Sequence, residues 1–466
     1  MRYGGEAMLK KSFPNVFPLH LAPIDSFYCA DDGPRYPMTS IIQLDFSGEM
    51  DELSFTHGLV DALYRHPLLS SLIQPAKRNM PCWVPTEEVR PRIDWGPLEQ
   101  PIGCPREQIL LDREVGLRFW VRVGQGRTRL TVQVHHACTD GTGVYRFLGD
   151  LLAFYGQRTA AAGDPLPRLG DVDPRLLRNR RMSMVNQMGQ AKASKVLFDG
   201  LREIWNIFGK RIRPLAQPNG TSSQPLTAFP GVQTIVLDKD QHKSLRQFAS
   251  QHGAMMNDLL MAEMFRTIVR WNRSEKQHRD HDWLRIMMPS DLREVAHHEM
   301  PAANMTAYTF VTRRARECDV EIQGLLRSMR DETLRIKRER SGSRFVDAIM
   351  LNEYFPKGLP CLLHSGRCIA TTTLSNVGDP SKRFSATFPR EAGNVVCGNL
   401  VLEDVTGVPP LRDNLHATLA VFTYARRLTI CVRCDPYRFN PADGQRFLEM
   451  FRDGLLSHLP ARQLTV

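Results

Sequence analysis

The 466-residue sequence has no run approaching the ~18 consecutive apolar residues that a membrane-spanning helix needs. Its opening, MRYGGEAMLKKSFPNVFPLHLAP, carries two lysines but is interrupted by Pro14 and Pro18. With neither a continuous apolar core nor a small-residue cleavage site there, no signal peptide is expected. The location expected is cytoplasmic, with peripheral membrane contact left open. The ten cysteines are scattered, and in a large chain without an export signal they read as reduced thiols. The one tempting pair, Cys431 and Cys434 in RLTICVRCDP, lies in an alternating strand pattern that sends i and i+3 to opposite faces. A second pair is missing, so no metal site is expected. Also missing are a GxSxG elbow, a Walker lysine loop and a GxGxxG turn after a strand, which removes the usual serine-hydrolase and nucleotide-binding signatures. The net charge of +11 suggests anionic partners: nucleic acid, a lipid surface or a phosphorylated cofactor. Neither basic cluster, RLLRNRRM or RIKRERSGSR, is interleaved with aromatics, and no zinc-finger or RNP signature appears, so no nucleic-acid partner is expected. Solvated helix faces account for most of these charges.

What is present is ordinary for a soluble globular protein, 42% hydrophobic and 24% charged residues, in a chain long enough for two domains of about 200 residues. The first half offers a strand at TSIIQLDFSG and a helix at MDELSFTHGLVDALYRHP that Pro67 ends. Two further strands, LRFWVRV and TRLTVQVHH, flank a GQGR turn. Between about 156 and 230, stretches rich in Pro, Gly and Ser flank a segment that reads as a helix, SMVNQMGQAKASKVLFDGLREIWNIFG. The second half restarts with the strand VQTIVLD and helices at KDQHKSLRQFASQHG and MMNDLLMAEMFRTIVRWN. Strands follow at WLRIMMP, MTAYTFV, RCIATTTLSN, NVVCGNLVLEDV, HATLAVFTYA and RLTICVRCDP, and a final helix runs from about Pro441 to Leu459. Two comparable α/β halves, without a fixed-period repeat, suggest a site between them.

The chemistry concentrates in VQVHHACTDGTGVYRFLGDLL. Leu130, Val132 and Val134 alternate, so a continued strand presents His136 on their face and His135 on the other. One imidazole can then face a cavity while the other packs behind it. Asp140 falls near the start of the next helix, where a carboxylate caps or pairs with a cation. Gly141 is expected to permit a backbone conformation that a side chain would oppose. The arrangement suits one aimed, neutral imidazole acting as a general base. Two other readings stand beside it: satisfied core histidines at a strand end, or a metal held by His136 and Asp140 at i and i+4, for which no third ligand of matching spacing lies nearby.

HHACTDG resembles the HHxxxDG signature of the coenzyme A-dependent acyltransferase superfamily, which includes chloramphenicol acetyltransferase, alcohol acetyltransferases, condensation domains and wax ester synthase/diacylglycerol acyltransferases. PMTSIIQLDFSGEMDELSFTHGLVDALYRHPLLSSLI is similar to the opening of the condensation and wax-synthase groups. MNDLLMA, MPSDLR, ANMTAYTFV and TLSNVGDP resemble further family segments, in the expected order over about 18 to 460. The resemblance implies an α/β fold of mixed sheets: two chloramphenicol acetyltransferase-like domains with an active-site tunnel between them. The boundaries expected are 1–175 for the N-terminal domain carrying HHxxxDG, 176–230 for a linker with one helix, and 231–466 for the C-terminal domain. It further implies an acyltransferase that moves an acyl group from an acyl-CoA or acyl carrier protein thioester to an alcohol. His136 would be the base and His135 structural. Asp140 would pair with Arg293 of SDLR, or with Arg65 of YRHP as second choice, and Ser375 and Asn376 would serve the oxyanion or substrate. Thr371 and Thr373 add hydroxyls to that strand. No permanently bound cofactor is expected; the co-substrate would be acyl-CoA or an acyl-phosphopantetheine carrier, and a separate carrier protein a partner. The plant-type DFGWG motif is absent, and LLSS stands where condensation domains carry a further arginine. The alternatives are a free-standing condensation-type N-acyltransferase forming an amide, and a non-catalytic binding protein that keeps the tunnel.

Overall fold

The computed structural model describes residues 16–75, 80–180, 193–219, 229–354, 361, 363 and 365–460. Residues 183–192 of the expected linker helix and the first 15 residues lie outside these. The first half runs β1 (Leu19–His20), α1 (Pro23–Asp31), β2 (Thr39–Ser47), α2 (Glu52–Arg65), β3 (Ser71–Pro75), β4 (Pro81–Pro85), β5 (Arg92–Pro97), β6 (Leu117–Gly124), β7 (Arg127–His135) and α3 (Gly141–Thr159). Then come α4 (Ala193–Phe208), β8 (Gln233–Leu237), α5 (Lys239–Gln251), α6 (Met256–Ser274), β9 (Trp283–Asp291) and β10 (Thr306–Arg314). Three helices follow, α7 (Ala315–Cys318), α8 (Ile322–Arg338) and α9 (Ser341–Tyr354). The chain closes with β11 (Thr372–Gly378), β12 (Arg390–Glu391), β13 (Asn394–Cys397), β14 (Leu400–Val408), β15 (Ala417–Tyr424), β16 (Arg427–Cys434) and α10 (Pro441–Leu456).

Two mixed sheets carry the fold. The first has the order β12-β13-β14-β2-β7-β6-β5, the second β10-β9-β11-β15-β16-β8, and β1-β4-β3 form a small third sheet. The first sheet is not assembled from one half of the sequence, because β14 pairs antiparallel with β2, Val408 opposite Ile41. A segment about 360 residues downstream of β2 thus completes its sheet. One core joins the first sheet, α2 and α3 to the inner face of the second sheet, where Met287, Ala420 and Phe422 point. A second core lies between the outer face of that sheet (Ile286, Leu419, Ile430) and α5, α6 and α10. Cys431 belongs to the first core and Cys434 to the second, the opposite-face placement that period 2 requires.

NVVCGNLVLEDV, expected as one strand, forms two. Gly398 takes φ +64°, and the turn it makes with Asn399 folds β13 back onto β14. RIKRERSGSR, noted only as a basic cluster, contains the junction of α8 and α9, with Arg340 at φ 48° between them. The helix α1 at PIDSFYCAD, too short to show a clear period, was not expected.

Candidate active site

The strand β7 ends at His135, where the chain turns and Cys138 N–H donates back to His135 O at 3.0 Å, while His135 N–H still donates to Gly116 O and His136 N–H to Met38 O. The turn that follows is clamped to the segment 302–306 from the other half. Asn304 donates its side-chain amide to His136 O at 2.7 Å, and Asp140 N–H reaches Ala303 O at 3.3 Å. Asp140 then caps α3 by accepting from Gly143 N–H at 2.8 Å.

That carboxylate is buried and turned toward the second half. Arg293 holds it with two bonds, Nη1 to Oδ2 at 2.8 Å and Nη2 to Oδ1 at 3.0 Å, while Met305 N–H and Thr306 Oγ1 donate to Oδ2. Burial alone would raise its pKa, but the Arg293 charge, the Arg293 hydrogen bond and the backbone donors bring it below the ordinary carboxylate value. Arg65 is not its partner; it pairs with Asp150 at 2.6 Å, beside His66.

His135 packs behind the turn, its Nδ1 accepting from Ala137 N–H and its Nε2 3.6 Å from Asp32. His136 lines a cavity of about 130 Å³ between the two sheets, in company with Val134, Tyr308, Thr373, Ser375 and Asn376. Its ring stacks on Tyr28 with centroids 4.1 Å apart and planes 17° from parallel. Its Nε2 lies 3.5 Å from the Tyr28 hydroxyl, which shares a 2.6 Å hydrogen bond with Tyr308. Burial pushes the His136 pKa down to about 4, against the opposing pull of its own backbone and of Asp140, so the imidazole is neutral at pH 7. Burial also raises both phenols, Tyr308 to about 12, and keeps them protonated.

Gly141 departs from its expected role. It lines the cavity, a Cβ there would meet nothing within 4 Å, and its φ is not in the left-handed region. The position where a side chain is opposed is Gly143, whose Cβ would come 2.1 Å from Thr139 Oγ1 and 2.8 Å from the Ala303 backbone. On β11, Ser375 and Asn376 reach the cavity, and Asn376 lies 3.4 Å from Asn257. Thr371 does not: its hydroxyl donates to Arg213 O and accepts from Arg285 N–H. Thr373 lines the cavity with a buried hydroxyl that has no partner among the described residues, a free donor aimed where Thr371 is not. Tyr28 and Tyr308 carry no site signature in the sequence, and Asn304 of ANMTAYTFV reads there only as a strand-end hydrogen-bonding residue. Alternation in MTAYTFV puts Tyr308 on the face of Thr306, but nothing local connects it to Tyr28, 280 residues away.

No family sequence profile and no curated protein matches this chain. Solved structures do. The first condensation domain of the calcium-dependent antibiotic synthetase, in complex with a substrate analogue, superposes with a TM-score of 0.66 at 15% identity, covering 95% of this chain and 96% of that one. Trichothecene 15-O-acetyltransferase from Fusarium sporotrichioides gives 0.64 at 12%, covering 95% of each chain. The starter condensation domain of rhizomide synthetase in complex with C8-CoA gives 0.64 at 14%, again covering 95% of each. The chain therefore has the mixed α/β, two-lobed fold of these condensation domains and of trichothecene 15-O-acetyltransferase.

Proposed function

We propose that this chain, which has the fold of condensation domains and coenzyme A-dependent acyltransferases, moves an acyl group from an acyl-CoA or carrier-bound thioester to an alcohol, with His136 as general base. The observation that carries the reading is the His136 imidazole, held uncharged in a cavity that both sheets line. An acceptor hydroxyl placed beside Nε2 gives its proton to that nitrogen as its oxygen attacks the thioester carbonyl carbon. The tetrahedral oxyanion then accepts hydrogen bonds from donors on β11, for which Thr373, Ser375 and Asn376 are the groups present. Collapse breaks the C–S bond, and the imidazolium returns the proton to the leaving sulfur, giving ester and free thiol. The Arg293–Asp140 pair acts at one remove, fixing the turn that aims the ring. Asn304 does the same from the other half.

His136→Ala should lower thiol release from acyl-CoA with an alcohol acceptor by about 10²–10⁴-fold while circular dichroism stays native. Retention of full activity would falsify the assignment. An amine acceptor is the second reading, favoured by the equally good fit to condensation domains, since the same base can deprotonate an amine. A thiol-release panel of alcohols and amines, with free acyl-CoA and with a loaded carrier protein, separates the two; silence across the panel would favour a non-catalytic binding role.

A further inference from the structure

A second cavity, about 290 Å³, opens at the edge strand β10 under α4, α8 and α9. Its wall holds five cationic side chains, Arg202, Lys210, Arg285, Arg335 and Arg344, against the carboxylates of Glu203 and Glu332. Glu332 is already taken by Arg335 at 2.6 Å, and Glu339, beside the lining, pairs with Arg335 at 3.4 Å and with Arg344 at 3.3 Å, which leaves Arg202, Lys210 and Arg285 without an ion pair among the described residues. The basic cluster RIKRERSGSR, which the acyl-transfer site leaves unused, supplies Arg335 and Arg344.

Arg285 is the anomaly. Among the described residues, four of the buried arginines hold a carboxylate: Arg118 with Glu114, Arg122 with Asp94, Arg180 with Asp25 and Arg433 with Glu107. Arg285, 1% exposed, holds none. Its guanidinium donates to Thr312 Oγ1 and to the carbonyls of Ile207, Ile369 and Asn206, and packs over Phe310. Neutral acceptors satisfy its hydrogen-bonding groups. Burial brings its pKa down to about 10, and the pull of Glu203, which makes no ion pair with it, offsets its charge only in part, so a positive potential stands in a desolvated wall. Lys210 adds to it, sharing the Trp283 ring with Arg314, and burial together with the Arg285 and Arg314 charges holds its ammonium below the ordinary lysine value.

The cavity lies on the same sheet face as the reacting centre. Along the β9–β10 ladder Pro289 pairs with Tyr308, Met287 with Phe310 and Arg285 with Thr312. Tyr308 and Thr312 are four residues apart on one strand, about 13 Å at ~3.3 Å per residue. Between them the rings of Tyr308, Phe345 and Phe310 form a continuous wall, with centroids 5.4 and 6.1 Å apart. We propose that this cavity is a phosphate-binding site that anchors the phosphorylated arm of the acyl donor while its thioester lies at His136. The assignment rests on the acyl-thioester reading above. The phosphate comes either from coenzyme A or from the phosphopantetheine of a carrier protein.

Calorimetry on the whole chain with coenzyme A, 4′-phosphopantetheine and unphosphorylated pantetheine tests it. The phosphorylated ligands should bind at least about tenfold tighter than pantetheine, and that preference should vanish in the mouth variant Arg202→Glu/Lys210→Glu, whose positions are exposed. Equal affinity for coenzyme A and 4′-phosphopantetheine marks the arm phosphate as the ligand. Coenzyme A binding far tighter, with the variant losing that gain, marks the nucleotide phosphates. Equal binding of phosphorylated and unphosphorylated ligands, or a variant that keeps the wild-type preference, overturns the site. A variant damaged only in its folding would weaken all three ligands together and leave the preference intact, which counts against the site. Phosphate-dependent binding in a chain that transfers no acyl group keeps the site and removes the acyl-transfer reading instead.

Discussion

The charge state of His136 governs when the proposed reaction can run. Its folded value of about 4 lies below the ~6.5 of an unfolded chain. Under the proposed mechanism the acid limb of kcat/KM should therefore fall near pH 4, and a limb at 6.5 would contradict a buried base. The same displacement acts on stability. As pH falls below about 6.5 the unfolded chain takes up a proton that the folded chain refuses, so stability present above that pH is lost progressively down to about 4, by up to about 3 kcal/mol. Urea unfolding at pH 7.5 and 4.5 should show a smaller acid penalty in His136→Phe than in the wild type; equal penalties would mean that the ring titrates normally. Burial lowers the pKa of His66, His242 and His416 as well, and these three set the background that the variant subtracts.

At the scale of the element, the β7–α3 turn carries the site, and its tolerances are uneven. Gly143→Ala forces a methyl against Ala303 backbone and Thr139, with no flexible side-chain end on the Ala303 side to give way. It should lower the thermal midpoint measurably, whereas Gly141→Ala should not, and should act only through the cavity space that its methyl fills. Arg293→Ala leaves the buried Asp140 carboxylate without its cation and should cost about 3–5 kcal/mol. Asp140→Asn in the same background should recover part of that loss, a rescue that chemical denaturation of the single and double variants checks. No recovery would mean that Arg293 matters here for packing rather than charge.

For the whole molecule, the pairing of β14 with β2 ties the two halves together more firmly than a contact between separate domains. A fragment of residues 1–230 would keep β7 but expose β2 as an open edge and leave its share of the inter-sheet core in water. It should fail to unfold cooperatively and should self-associate on size-exclusion chromatography; a monomeric fragment with a sharp transition would show that the hairpin from the far half is dispensable. The extent of that core also explains why the cavity at His136 has walls from both sheets.

Much of this was written locally. Alternation in TRLTVQVHH placed a strand that ends at the histidine pair, and Asp140 as helix cap follows from its position before GTGVYRFLGDLL. The HHxxxDG resemblance pointed to an α/β fold with two lobes, and the arginine of SDLR does lie on Asp140. The glycine was misassigned, because a one-dimensional pattern cannot tell a backbone constraint at 141 from a close contact at 143 made by a segment 160 residues away. Sequence order also hid the exchange of β12–β14 into the first sheet, since strand partners far apart leave no periodic trace. The sequence by itself determined which residues alternate, which helix Asp140 caps and what chemistry a neutral imidazole permits, because these depend on neighbours within a few positions. Only the tertiary structure decided that Tyr28 and Tyr308 frame the ring, that Thr373 rather than Thr371 faces the cavity, and that Arg285 sits charged without a carboxylate, because burial and pairing are set by chain segments that meet only when the sheets close.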